Sequence, residues 1–315
     1  MCLCSAEKSS TAVPNGAVSV ERVGEILANK SGKYSLPYRF RALFGLRNVA
    51  TDEAVEAIAG AFSDQSALLK HELAYVLGQI QRPSALPHLV KVLEDMQEDP
   101  MVRHEAAEAM GAIGKLESLC VLEKYREDSS RAVAETCQIA IDNILRNHHG
   151  QDKETAVEGT IYGSVDPAPP MKQGRSVDEL RQQLMDCSLS LYERYKAMFA
   201  LRNRGTEESV LALCAGLGEP HSALFRHEIA YVLGQLQHPA SVPALAHSLS
   251  KIDEAPMVRH EAAEALGSVA TPEALDILRQ YLHDPVDVVR ESCEVALDIG
   301  EFEKSAEMDL IAAGC

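Results

Sequence analysis

The chain has 315 residues, 46% of them hydrophobic, enough for two domains with a sizeable core. Aromatics make up only 5%, Trp is absent and alternating β-branched runs are missing, which excludes a strand-rich fold and favours repetitive packing of Ala- and Leu-rich helices. The formal charge of −17 argues against nucleic-acid phosphate as a ligand; it suits a basic partner or a cationic substrate, and it also keeps a protein soluble.

In chain order, residues 1–16 are polar, lack an apolar signal core and read as a disordered tail. An N-terminal helical half is expected over 17–146, with helices near 18–29, 36–48, 52–62, 68–81, 84–95, 101–114, 116–126 and 130–146. Pro83 and Pro100 mark helix starts, and Asp99 is an N-cap candidate. Residues 147–175 break the pattern with Gly150, Gly163, Gly174 and the run Asp166-Pro167-Ala168-Pro169-Pro170, which reads as an extended linker. A C-terminal half follows over 176–300, with helices near 176–186, 190–203, 206–217, 222–236, 240–250, 257–269, 272–282 and 286–299. Pro239, Pro256 and Pro285 mark starts there, and 301–315 reads as a fraying tail. No stretch reaches 18 apolar residues, so no membrane span is expected. The eight cysteines form no CxxC pair and several lie in helical runs, which points to a reducing compartment, the cytoplasm.

The chain contains itself twice. His71 to Gln81 reads HELAYVLGQIQ and His227 to Gln237 reads HEIAYVLGQLQ; Pro100 to Gly111 reads PMVRHEAAEAMG and Pro256 to Gly267 reads PMVRHEAAEALG. Both matches lie at the same offset along the chain. Within each half the His-Glu pair recurs at one shared spacing, from His71 to His104 and from His227 to His260, a period that fits stacked helix pairs, four to a half. Repeat alignment places Arg39-Phe40 and Glu135-Thr136 at the register of His71-Glu72 and His104-Glu105. In the second half the series is Arg194-Tyr195, His227-Glu228, His260-Glu261 and Glu291-Ser292. The pair therefore occupies only the two central repeats of each half.

Neighbouring repeats place equivalent positions about 8–10 Å apart, so two imidazoles can reach one ion. Two His with a carboxylate and open positions is the donor set of oxygen-handling non-haem iron. Four carboxylates also balance two divalent ions. A lone His-Glu pair is more often structural; four in matched register argue for metal. A zinc-protease site is disfavoured because neither motif has a second His four residues on. Glu108 and Glu264, at i+4 from His104 and His260, fit salt bridges to neighbouring Arg or a supporting role, with an extra ligand role open. His88, His148, His149, His221, His238, His247 and His283 have no match in the other half and are expected at the surface. Gly78 and Gly234, inside the helices that carry the first His-Glu pair of each half, fit close helix packing or close approach of a substrate. A non-enzymatic repeat scaffold and a di-metal hydrolase are the competing readings.

At these residues, HELAYVLGQ and VRHEAAEA each present twice, the sequence resembles deoxyhypusine hydroxylase, a HEAT-repeat di-iron monooxygenase, over about residues 20–300. The resemblance implies an all-α, HEAT-like helical-repeat superhelix of two pseudo-symmetric halves. It implies O2-dependent hydroxylation of the deoxyhypusine side chain of the hypusine-carrying translation factor, at a non-haem di-iron (peroxo) centre between the halves. By the same resemblance His71, His104 and Glu105 are ligands of one iron, and His227, His260 and Glu261 of the other. Glu72 and Glu228 are implied to be catalytic residues that bind the substrate amine, with Gly78 and Gly234 beside them in the substrate-binding set. The expected partner is the protein bearing that basic side chain, with no nucleic acid and no membrane.

Overall fold

A computed structural model describes residues 19–150, 162–172 and 174–303. The tail expected at 1–16, residues 151–161 of the expected linker and residues 304–315 of the expected C-terminal tail lie outside them, while 301–303 of that tail continue the last helix. The described chain is all-helical and divides into two compact units, with the boundary between Pro169 and Pro170.

In the first unit the helices are α1 (Val20–Ala28), α2 (Leu36–Val49), α3 (Asp52–Ala59), α4 (Ala67–Ile80), α5 (Leu86–Glu94), α6 (Pro100–Ile113), α7 (Leu119–Lys124) and α8 (Arg131–His149). In the second they are α9 (Val177–Met185), α10 (Leu191–Arg204), α11 (Glu207–Gly216), α12 (Ala223–Leu236), α13 (Val242–Ser250), α14 (Pro256–Val269), α15 (Pro272–Gln280) and α16 (Asp287–Glu303). The local sequence sets the ends. Thr51, Ser66, Ser190, Thr206, Ser222 and Thr271 accept a backbone N–H from the first turn of the helix that follows. Asp99 does the same for α6, whose first residue is Pro100. Helix α8 runs past its expected end at 146, and Gly150 closes it in the left-handed conformation at φ 72°. From 162 to 172 the chain has no helix, and Gln79 of α4 holds Val165 through its side-chain amide, accepting from the backbone N–H at 2.8 Å and donating to the carbonyl at 3.4 Å.

Within each unit the even-numbered helices form one layer. Helix α4 packs on α6 and α6 on α8; α12 packs on α14 and α14 on α16. The odd-numbered helices form the other layer, each beside its even partner. Leu43, Leu69, Leu73, Leu77, Met110, Leu201, Leu233 and Leu266 are fully buried along the even helices. Each leucine or methionine side chain taken from water contributes about 1.5–3 kcal/mol, so this seam is the main source of cohesion.

A buried cation repeats with the helices. Arg39, Arg103, Arg194 and Arg259 each donate Nε to the carbonyl of a leucine near the end of the preceding odd helix, at 2.8, 3.0, 2.9 and 2.9 Å. That satisfies a carbonyl the helix end would otherwise orphan. The guanidinium then meets Asp64, Asp128, Glu219 or Asp284, at the same sequence separation in all four cases and at 2.5 to 3.6 Å. Lys70 and Arg226 hold the same helix position and pair with Glu98 and Glu254. All six cations stand fourth in their helices, immediately before the His-Glu register. This corrects the repeat alignment: Phe40-Arg41 and Tyr195-Lys196, not Arg39-Phe40 and Arg194-Tyr195, occupy that register in the first repeats. The cation belongs one column earlier, and only its carboxylate partner in the fold reveals that column.

Candidate metal centre

His71-Glu72 lie on α4 and His104-Glu105 on α6, fifth and sixth in each helix, and both pairs are buried. Adjacent helices in identical register bring the two rings together, with centroids 5.5 Å apart. His71 Nε2 lies 3.2 Å from Glu105 Oε2. One donor atom from each of His104, Glu105 and Glu108 lies within 4.8 Å of the others. The second unit repeats the arrangement on α12 and α14. The His227 and His260 rings are 5.3 Å apart, and His227 Nε2 lies 3.4 Å from Glu261 Oε2. One donor atom from each of His227, His260 and Glu261 lies within 4.8 Å of the others.

These sets fit a divalent ion by their chemistry. Each mixes imidazole nitrogen with carboxylate oxygen, is buried apart from the partly exposed Glu108, and spans a distance that small side-chain rotations close around ligand bonds of about 2.0–2.2 Å. Burying a carboxylate among imidazoles is otherwise unfavourable, and burial pushes Glu105 up to about 8. Glu72 and Glu228, next in sequence to His71 and His227, are buried as well, 3% and 2% exposed.

Gly78 and Gly234 stand two turns along from His71 and His227 and are accounted for by packing. A Cβ on Gly78 would lie 2.8 Å from Ala109 Cα of α6, and one on Gly234 would lie 3.1 Å from Ala265 Cα of α14. Facing helix backbone fills the space, so the geometry gives no support to contact with a substrate. Of the two roles expected for Glu264, its contacts fit the supporting one rather than a salt bridge to arginine. The neighbouring Arg259 is engaged with Asp284, while Glu264 Oε1 lies 3.6 Å from His260 Nδ1 and accepts from the Ser292 hydroxyl at 3.2 Å. Sequence reasoning gives Ser292 no role beyond replacing Glu in the fourth repeat, and no motif marks it. Among the unmatched histidines, His148, His149, His221, His247 and His283 are exposed as expected. His88 and His238 are partly buried instead: the first pairs with Glu56 at 3.0 Å, and the second accepts the Ala240 N–H.

Comparison with known proteins agrees with the repeats and decides the family. HEAT repeats match residues 55–142 and 224–298, and the PBS lyase HEAT-like repeat matches 193–219. A deoxyhypusine hydroxylase of Danio rerio is 57% identical over 290 residues, covering 91% of this chain and 93% of the relative. Those of Homo sapiens and Drosophila melanogaster are 54% and 52% identical, over 90% and 91% of this chain and 92% and 93% of their own. The chain belongs to the deoxyhypusine hydroxylase family. It is therefore an enzyme, and the solved structure of human deoxyhypusine hydroxylase in complex with glycerol matches it with a TM-score of 0.85, at 53% identity over 90% of this chain and 96% of that one. As a member of the deoxyhypusine hydroxylase family it carries all four His-Glu pairs of its own duplication intact.

Proposed function

We propose that this protein hydroxylates the deoxyhypusine side chain of the hypusine-carrying translation factor in an O2-dependent monooxygenation, with one iron ion on each half. His71, His104 and Glu105 would hold one ion, and His227, His260 and Glu261 the other. The observation that carries the reading is the duplicated, buried His-Glu register, which in both units sets a His Nε2 3.2 to 3.4 Å from the Glu of the next even helix. The two ions would supply what the side chains lack, activation of molecular oxygen toward an unactivated C–H bond.

The protein's own part is positioning and charge. The His-Glu register sits on the packed even helices, where the rotamers are confined by neighbours on both sides, so the donors are preorganised. Glu72 and Glu228 carry buried carboxylates that a cationic polyamine arm would stabilise through charge-assisted hydrogen bonds. Their role is to bind the amine and hold the arm in register. The net charge of −17 favours approach of a cationic side chain. A cytoplasmic location suits the chain: the five described cysteines are free, and among the described residues no helix is long and apolar enough to cross a membrane.

The test combines metal analysis with product analysis. Protein purified and loaded with ferrous iron should hold about two ions per chain and convert a deoxyhypusine-bearing substrate to the hydroxylated form in air but not under argon. Turnover under argon, or turnover by the fully chelated protein, would overturn the reading.

A further inference from the structure

The two halves repeat the ligand register but not what stands behind it. In the second half, two oxygens face Nδ1 of the His260 ring: Glu264 Oε1 at 3.6 Å and Ser292 Oγ at 3.5 Å. Those oxygens are joined to each other, Ser292 donating to Glu264 at 3.2 Å. All three groups are buried; His260 and Ser292 are 0% exposed. The duplicate positions in the first half are His104, Glu108 and Thr136. There the hydroxyl is used elsewhere: Thr136 donates to the carbonyl of Ala132, one turn back in its own helix, at 2.8 Å. Glu108 is only partly buried and offers a carboxylate oxygen to the donor cluster of His104 and Glu105.

We propose that Glu264 and Ser292 are positioning residues that orient His260 from behind. Ser292 Oγ accepts the Nδ1 proton at 3.5 Å and donates its own to Glu264, whose carboxylate lies 3.6 Å from the same nitrogen, so that Nε2 is the nitrogen presented to the ion. A carboxylate on the far nitrogen of a ligating imidazole sets the tautomer and raises the basicity of the near one. In the first half the Thr136 hydroxyl is committed to its own helix, and Glu108 is only partly buried. The two metal sites are therefore unequal: a hydroxyl completes a Ser-Glu-His relay behind His260, and the duplicate hydroxyl is spent on helix backbone. Sequence identity of the two VRHEAAEA motifs hides this, because the difference lies on the next even helix, where one half has Ser292 and the other Thr136.

The inference rests on His260 being a metal ligand, and the experiment separates the two. Full-length protein, loaded with cobalt(II) as a spectroscopic probe, is titrated with a chelator. Stoichiometry, release rate of each equivalent and the d–d absorption band are followed, with the melting temperature of the metal-free protein as a folding control. Ser292→Ala and Glu264→Ala should loosen one of the two equivalents by roughly 10–100-fold and shift its band, leaving the other equivalent and the metal-free melting temperature unchanged. Glu264→Gln, which keeps an acceptor oxygen, should restore part of the affinity lost in Glu264→Ala. Thr136→Ala, the duplicate position, should change neither equivalent by more than about twofold, well below the 10–100-fold expected where a supporting group is lost. His260→Ala should abolish one equivalent. If His260→Ala keeps both, the ligand assignment fails. If it loses one while Ser292→Ala and Glu264→Ala bind like the parent, or if Thr136→Ala loosens metal as much as Ser292→Ala, the relay is wrong and the ligand assignment stands.

Discussion

A buried carboxylate is costly unless its charge is balanced, and the His-Glu register buries carboxylates beside imidazoles in each half. The clusters formed by His71, His104 and Glu105, and by His227, His260 and Glu261, differ in this respect from the salt bridges of the arginines, where the counter-charge is already part of the fold. Replacing His104 with Ala is therefore expected to remove one iron equivalent with helix content unchanged, read by metal analysis beside far-ultraviolet circular dichroism; full iron in that variant would contradict the assignment. Glu72→Gln and Glu228→Gln separate the other role. Both should raise KM for the cationic substrate about tenfold or more, in line with about 1.5–3 kcal/mol for a charge-assisted hydrogen bond, while iron content stays near two. Iron loss equal to that of Glu105→Gln would reassign them as ligands. The residues proposed as ligands stand out in the sequence because His-Glu recurs in matched register in both halves. Ser292 does not, because a serine carries no such signal and its partner Glu264 stands on another helix.

At the scale of the helix, several starts could be read in advance: Pro100 and Pro256 stand at N1 and Asp99 caps α6, while Pro83 and Pro239 open short 3-10 turns just ahead of α5 and α13. Gly78 and Gly234 were readable as packing glycines, but Gly111 and Gly267, which packing needs as much, carried no signal. Helices α4, α6, α12 and α14 each turn a glycine against an alanine of the next even helix. Gly78 meets Ala109, Gly111 meets Ala140, Gly234 meets Ala265 and Gly267 meets Ala296, with a hypothetical Cβ 2.6 to 3.2 Å from the alanine Cβ. Gly45, in the middle of α2, has nothing within 4 Å and is exposed. One substitution thus has opposite signs at two helical sites. Gly45→Ala should stabilise by up to about 1 kcal/mol through helix propensity. Gly267→Ala should destabilise by about 1–3 kcal/mol, because the methyl group meets Ala296 backbone that cannot give way without moving the helix. Urea unfolding of both variants decides the matter; stabilisation of Gly267→Ala would mean the helices are not as tightly apposed as this.

Across the molecule the arginine staples set the response to acid. Burial alone would raise the pKa of Asp64, Asp128, Glu219 and Asp284, yet hydrogen bonds from Arg39, Arg103 and Arg259 and from following backbone N–H groups, with the charge of Arg194 beside Glu219, hold all four below the usual carboxylate range. The register they share, an arginine at one fixed separation before its carboxylate, is present in the sequence but becomes visible as a repeat only once the helices are placed. A carboxylate with a depressed pKa in the folded state makes its contribution in full above the unfolded pKa of about 3.9–4.3, and loses it as the pH falls through the lower folded value. In that window the unfolded chain binds protons that the folded chain does not, so stability falls as acid is added. Asp284→Ala removes one partner of a pair whose side chains are 4% and 6% exposed and should cost about 3–5 kcal/mol at pH 7, by leaving Arg259 buried without its counter-charge. Because that variant has one fewer depressed carboxylate, its stability should fall less steeply than the parent's between pH 5 and pH 3. Denaturant melts across that range measure both slopes, and a variant that loses stability as steeply as the parent would show that Asp284 is not among the groups whose protonation unfolds the protein.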